Sequence, residues 1–180
     1  MAQEVHDGFQ ELFALSFLCL AYAGFGEWDL AFATLYEGMA KAKQWDNTFI
    51  IARLTNTLGW FYSELGDVAK ACEYDQEGYE LGRACKVSNT EISALINLGF
   101  DHLDLEQSEA ARRLLEEAFD RVEREVFGSH RWRWKIRLCM GLGRLWHMEH
   151  EPAQALAFLD DGLQLALATG SQKYVAEGRG

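Results

Sequence analysis

The residues best able to do chemistry are Arg131-Trp132-Arg133-Trp134-Lys135-Ile136-Arg137. They set four cations and two indoles into seven positions of a chain with 17 basic and 28 acidic residues, net charge −11. Guanidinium groups hold carboxylates through paired N–H donors, and indole faces accept cations and apolar groups. Arg133, Arg137 and Arg144 fall on one face at helical spacing, where like charges oppose one another by about 0.2–0.5 kcal/mol per pair. Something acidic must therefore lie near them. Two sources are open: a carboxylate-bearing partner, or the acidic stretch just before them, with Glu116, Glu117, Asp120 and Glu123.

Other candidates for chemistry are weaker. His147 and His150, beside Glu149 and Glu151, lack the three or four converging ligands that zinc needs, and neither an HExxH pattern nor a close cysteine pair is present. Gly141-Leu142-Gly143 sits inside a helical pattern and not after a strand, so it is no phosphate loop. Glu117 to Arg121 and Asp120 to Arg124 read as ion pairs along a solvated helix face. Local spacing assembles no nucleophile with base and orienter. The chain is expected to be no enzyme, and no metal or cofactor is expected.

The elements that must position these residues are helices. Leu (24) and Ala (22) far outnumber Val, Ile and Thr (6, 5 and 6), and Pro occurs once. β-Branched residues favour strands while Leu and Ala favour helices, so the composition is that of an all-α protein. The acidic balance disfavours nucleic acid and anionic membrane surfaces, both of which need an excess of Lys and Arg. Cys19, Cys72, Cys85 and Cys139 are widely spaced, which fits a reduced, cytoplasmic setting. The apolar run Leu12 to Phe25 is too short to span a bilayer, and the acidic segment before it is unlike a signal peptide.

The chain repeats itself. Leu58-Gly59, Leu98-Gly99 and Leu142-Gly143 are preceded by a related Leu18-Cys19, at spacings of 40, 40 and 44 residues. Four residues after each Leu stands a ring: Tyr22, Tyr62, His102 and Trp146. Thirteen after it stands Ala31, Ala71, Ala111 or Ala155, and seven further on Gly38, Gly78, Ala118 or Gly162. Each unit reads as a helical hairpin. Phe49, Ile50, Leu54, Leu58, Phe61, Tyr62 and Leu65 form a one-sided stripe on a first helix. Turns are expected at 24–27, 64–67, 104–107 and 148–151. Asp67 is placed to cap one second helix, and Pro152 to begin another. Small residues on the second helix, facing the Gly or Cys of the first, are expected to let the two backbones approach closely. Trp134, Leu138 and Leu145 read as core, and His102 as a histidine packed in its hairpin.

Leu-Gly, a ring four later, Ala at thirteen and Ala or Gly at twenty resemble the tetratricopeptide repeat over about residues 8–169. The longer period is similar to the superhelical region of maltose-regulon-activator-type signal-transduction ATPases. The resemblance implies a right-handed αα superhelix, a solenoid of four hairpins plus a partial fifth. It also implies a concave groove lined by first helices. Groove offsets place Phe13, Ser16 and Leu20 in the first hairpin, then Arg53, Asn56 and Trp60, then Ser93, Ile96 and Phe100. In the last they place Arg137, Met140, Arg144 and His147, with Arg133 one turn before. The lysines and asparagines that clamp a peptide's terminal carboxylate in some family members are not evident.

The expected organisation is a single domain with repeats at about 8–46, 47–88, 89–128 and 129–170, while 171–180 begins an incomplete fifth. Neither end carries a polar cap, so the chain is read as a piece of a longer protein, or as one whose ends dock elsewhere, self-association included. The implied function is a non-catalytic protein-interaction module, the regulatory segment of a larger bacterial signalling or transcription-regulatory protein. Its partner would be a protein or peptide, acidic ones included. The alternative is a sensor of peptides or small ligands in which groove occupancy changes superhelix curvature.

Overall fold

A computed structural model describes residues 2–177, and the described chain is helical hairpins throughout. The elements are α1 (Ala2–Gly24), α2 (Trp28–Gln44), α3 (Thr48–Glu64), α4 (Val68–Cys85), α5 (Ser88–Asp104), α6 (Ser108–Glu125), α7 (Ser129–Met148), α8 (Pro152–Thr169) and the short α9 (Gln172–Glu177). The fold is all-α and of tetratricopeptide-like solenoid type, as the repeat pattern implies. It divides into two compact units, Met1–Glu91 and Ile92–Gly180, with the division inside α5. The first unit holds the hairpins α1/α2 and α3/α4, and the second holds α6, the hairpin α7/α8 and α9.

The four expected turns occur where the pattern puts them, and all are built alike. The amide of Glu27, Asp67, Gln107 or Glu151 donates to the carbonyl of the repeat's ring residue, Tyr22, Tyr62, His102 or Trp146, at 2.8–3.0 Å. The residue just before each donor is left-handed: Gly26, Gly66, Glu106 and His150, with φ between 56° and 81°. This six-to-one closure satisfies carbonyls that the helix end would otherwise leave unmade. Asp67 accepts the Lys70 amide at 3.3 Å, Asn47 accepts the Ile50 amide at 3.1 Å, and Pro152 opens α8.

The links between hairpins reuse the same closure after α2, α4 and α8, at Asp46, Lys86 and Gly170. The link after α6 differs. Val126 is extended, Gly128 has φ 73° and ψ −149°, and α7 runs for 20 residues against 17 in α3 and α5. The four extra residues of the last repeat spacing thus go largely into one more turn at the start of α7, and this turn carries His130, Arg131 and Trp132.

Helix packing inside the hairpins corrects one expectation. The small residues of the second helices do not face the Gly of the Leu-Gly pairs. Gly78 lies against the backbone of Asn56, and Gly162 against Cβ of Cys139. The Gly of each pair instead accommodates a larger residue seventeen positions after the Leu. A β-carbon at Gly59 would fall 2.5 Å from the Asp75 carboxylate, and at Gly99 or Gly143 a similar distance from Leu115 or Leu159. The marker alanines Ala31, Ala71, Ala111 and Ala155 are buried, as is Trp134 with Leu138 and Leu145. Phe61, Leu35, Ile50 and Leu54 centre the core of the first unit; Leu103, Leu115 and Ile136 are among the fully buried side chains of the second.

Candidate interaction surface

In the first unit the first-helix face is aromatic. On α1, Phe9 and Phe13 have ring centres 4.9 Å apart, and Phe13 lies 6.3 Å from both Phe17 and Phe49. Arg53, from α3, spreads its guanidinium over Phe17 at 4.7 Å and Phe13 at 5.5 Å. A cation over a ring face gains electrostatically from the ring quadrupole. Trp60 is half-buried against Phe61, at 5.5 Å, and its Nε1 donates to Glu64 at 2.9 Å.

In the second unit Arg137 stands at the same repeat position as Arg53 and does the same thing. Its guanidinium lies 5.3 Å from the Phe100 ring, and Nη2 donates to Oδ1 of Asn97 at 2.9 Å. Two turns on, Arg144 pairs with Asp104 at 2.6 Å and donates to the Leu103 carbonyl at 3.3 Å, while its side chain stays 45% exposed. Met140 is half-buried between them in sequence, and His147 and Arg133 are exposed on the same helix.

The structure therefore gathers Phe100, Arg137 and Arg144 on one face, with Met140 and His147 at the next positions of that helix. It leaves Arg53 and Trp60 on the corresponding face of the first unit. Three expected groove residues are withdrawn: Asn56 (6% exposed), Ser16 (1%) and Ile96 (0%) are buried. For Asn56 the reason is Gly78, whose missing side chain draws α4 onto that position. Of the acidic stretch expected to neutralise the basic segment, Glu123 pairs with Arg131 and, at 2.7 Å, with Lys135. The Lys135 ammonium, with Arg131 behind it, holds the Glu123 carboxyl below its ordinary range. On α6, Arg121 pairs with Glu125 at 3.2 Å and Arg124 donates to the Asp120 carbonyl.

The opposite side of the hairpins carries a second recurring arrangement. At Tyr62 and Trp146 the ring four residues after the repeat Leu meets a residue of the preceding hairpin. Tyr62 stacks on Tyr74 at 5.4 Å and meets Phe32 edge-on at 5.6 Å. Trp146 receives Arg112 over its face at 4.3 Å, while Arg112 also pairs with Glu149 and Glu116. The sequence shows the ring but not its partners, which sit at 14 and 16 residues after a repeat Leu. Half-buried His102 closes its turn by a 2.6 Å contact of Nδ1 with Gln107.

These surfaces are built of ring faces and guanidinium groups. Among the described residues no group of three His, Cys, Asp or Glu could hold a metal ion. Burial pushes the Cys19 and Cys139 thiols up to about 11, far from the range of a reactive thiolate. Among the described residues no helix is long and apolar enough to cross a membrane.

Consecutive hairpins closed by identical turns define a helical-repeat fold. Residues 92–129 match the tetratricopeptide repeat family model. No curated protein matches the sequence. Among solved structures, the fold is similar to aspartyl phosphate phosphatase F from Bacillus subtilis, with TM-score 0.75 and 13% identity over 94% of this chain and 44% of that one. BtubC from P. vanneervenii gives TM-score 0.67 and 17% identity over 89% of this chain and 65% of that one. Kinesin-light-chain TPR-like repeats from Podosopora anserina give 0.59 and 16%, over 88% and 76%. The chain thus spans less than half of the first of these proteins and under two-thirds of the second.

Proposed function

We propose that this chain is a non-catalytic module that binds a protein or peptide through its first-helix faces, and that the bound segment is acidic. The observation that carries the reading is the juxtaposition of Phe100, Arg137 and Arg144. Arg137 lies over the Phe100 ring, and Arg144, seven residues on, is 45% exposed and held by an exchangeable ion pair to Asp104 and a hydrogen bond to the Leu103 carbonyl. An incoming carboxylate replaces Asp104 on Arg144 at little net cost, because an exposed pair is worth only about 0–1 kcal/mol. The setting we propose is the regulatory segment of a larger bacterial signalling or transcription-regulatory protein in the cytoplasm. The long repeat period supports that setting. Contact of the chain with itself through its end hairpins belongs to the same reading.

The test is fluorescence anisotropy against a set of extended peptides of graded acidity. Binding is expected to strengthen with peptide carboxylates and to weaken with salt. Arg137→Glu combined with Arg144→Glu is expected to weaken it by a factor of about ten or more, equivalent to about 1.4 kcal/mol, with the fold intact by circular dichroism. Equal affinity of the double variant, or no preference for acidic over neutral peptides, overturns the reading.

A further inference from the structure

The two end hairpins leave exposed the very positions that the repeat buries elsewhere. Leu18 is 42% exposed, whereas its equivalents Leu58, Leu98 and Leu142 are 1%, 4% and 3% exposed. Ala14 is exposed while Leu54, Ala94 and Leu138 are fully buried, and Ala21 is exposed while Phe61, Asp101 and Leu145 are buried. At the other end Leu159 is 39% exposed, although Leu35, Asp75 and Leu115 at the same repeat position are at 0%. Leu156 beside it is 69% exposed.

Junctions inside the units show what these positions are shaped to meet. In the first unit Gly38 of α2 lies against Leu54 of α3; the equivalents at the ends are Gly162, buried against Cys139 of its own hairpin, and exposed Ala14. In the second unit Leu115 of α6 lies against Gly141 of α7; the equivalents left over are Leu159 and Phe17, the latter 56% exposed. The end segments also differ in charge: residues 1–46 carry −5 and residues 129–180 carry +2.

We propose that the chain self-associates head to tail, with α1 of one copy seated against α8 of the next in the register of an internal repeat junction. Ala14, Leu18 and Ala21 of the first copy then lie over Leu156, Leu159 and Gly162 of the second, and the six-residue α9 gives way. This deepens the self-association part of the proposed function and is independent of the acidic-peptide site. Such a contact pairs two different patches, so every added copy leaves one of each free.

The test is sedimentation velocity of the 180-residue chain with Leu18→Asp and Leu159→Asp variants. Wild-type mass is expected to rise over about 1–100 µM, as mass action requires. Either variant alone is expected to stay monomeric, and their mixture to form a dimer that grows no further, since one intact head and one intact tail remain. Leu18 and Leu159 are 42% and 39% exposed, and circular dichroism of each variant checks that the fold is retained; Ala14→Asp and Leu156→Asp, both at exposed positions, form a second pair with the same expectation. A wild type monomeric at every concentration overturns both the register and self-association itself. A wild type that associates while only Leu18→Asp blocks it, or while the mixed variants stay monomeric, overturns the head-to-tail register and leaves self-association standing.

Discussion

Gly59 and Gly143 occupy one repeat position yet should answer the same substitution differently. A methyl group at Gly59 meets the buried Asp75 carboxylate, which has α3 and α4 around it; at Gly143 it meets Leu159, which can swing toward solvent. Gly59→Ala is therefore expected to lower stability by about 1–3 kcal/mol through overpacking, less the helix-propensity gain of about 1 kcal/mol. Gly143→Ala is expected to be neutral or slightly stabilising. Denaturant midpoints of the two variants check this, and equal losses would contradict the packing described. Thiols offer a second residue-scale check. Cys19 and Cys139 are buried with raised pKa, whereas Cys72 and Cys85 are half-exposed. A disulfide reagent should modify Cys72 and Cys85 in the native protein, and reach the other two only after unfolding.

At the scale of elements, the α6–α7 contact includes one carboxylate between two cations. The Glu123 pKa is lowered in the fold, so its contribution is fully present above the ordinary value near 4.5 and is lost as pH falls through the folded value. Wild type is expected to lose stability on acidification below that value more steeply than Glu123→Gln, and thermal melts from pH 6 to pH 3 measure it. Ala111→Leu, at a fully buried marker alanine, is expected to cost about 1–3 kcal/mol. The hairpins, their turns and the marker alanines were legible because each recurs at a fixed offset, and a recurring offset reports backbone geometry. The facing of the small residues was not legible. Helical spacing says which residues share a face but not how far one helix slides along another, so Gly78 was matched to Gly59 when it lies on Asn56. Arg137 and Arg144 were legible as cations on one face. Their partners Asn97, Phe100 and Asp104 lie about forty residues away and belong to tertiary structure.

At the scale of the whole molecule, a repeat protein distributes its stability as local terms between neighbours. Two compact units sharply limit how far damage should travel. Hydrogen exchange of Ala111→Leu is expected to rise in α6 and α7 while amides of α3 keep their protection. Uniformly faster exchange would mean that the chain opens as one cooperative block.

The left-handed residue at every regular turn has a consequence for growth. Residues 47–86 run from just after one left-handed link to the next, Asp46 and Lys86, whose φ values are 50° and 56°. A second copy of that segment, inserted in frame after Lys86, meets at both joints a backbone angle that the chain already uses there. Lengthening by whole hairpins asks for no new turn geometry, and the molecule can be extended as a ladder is, one rung at a time.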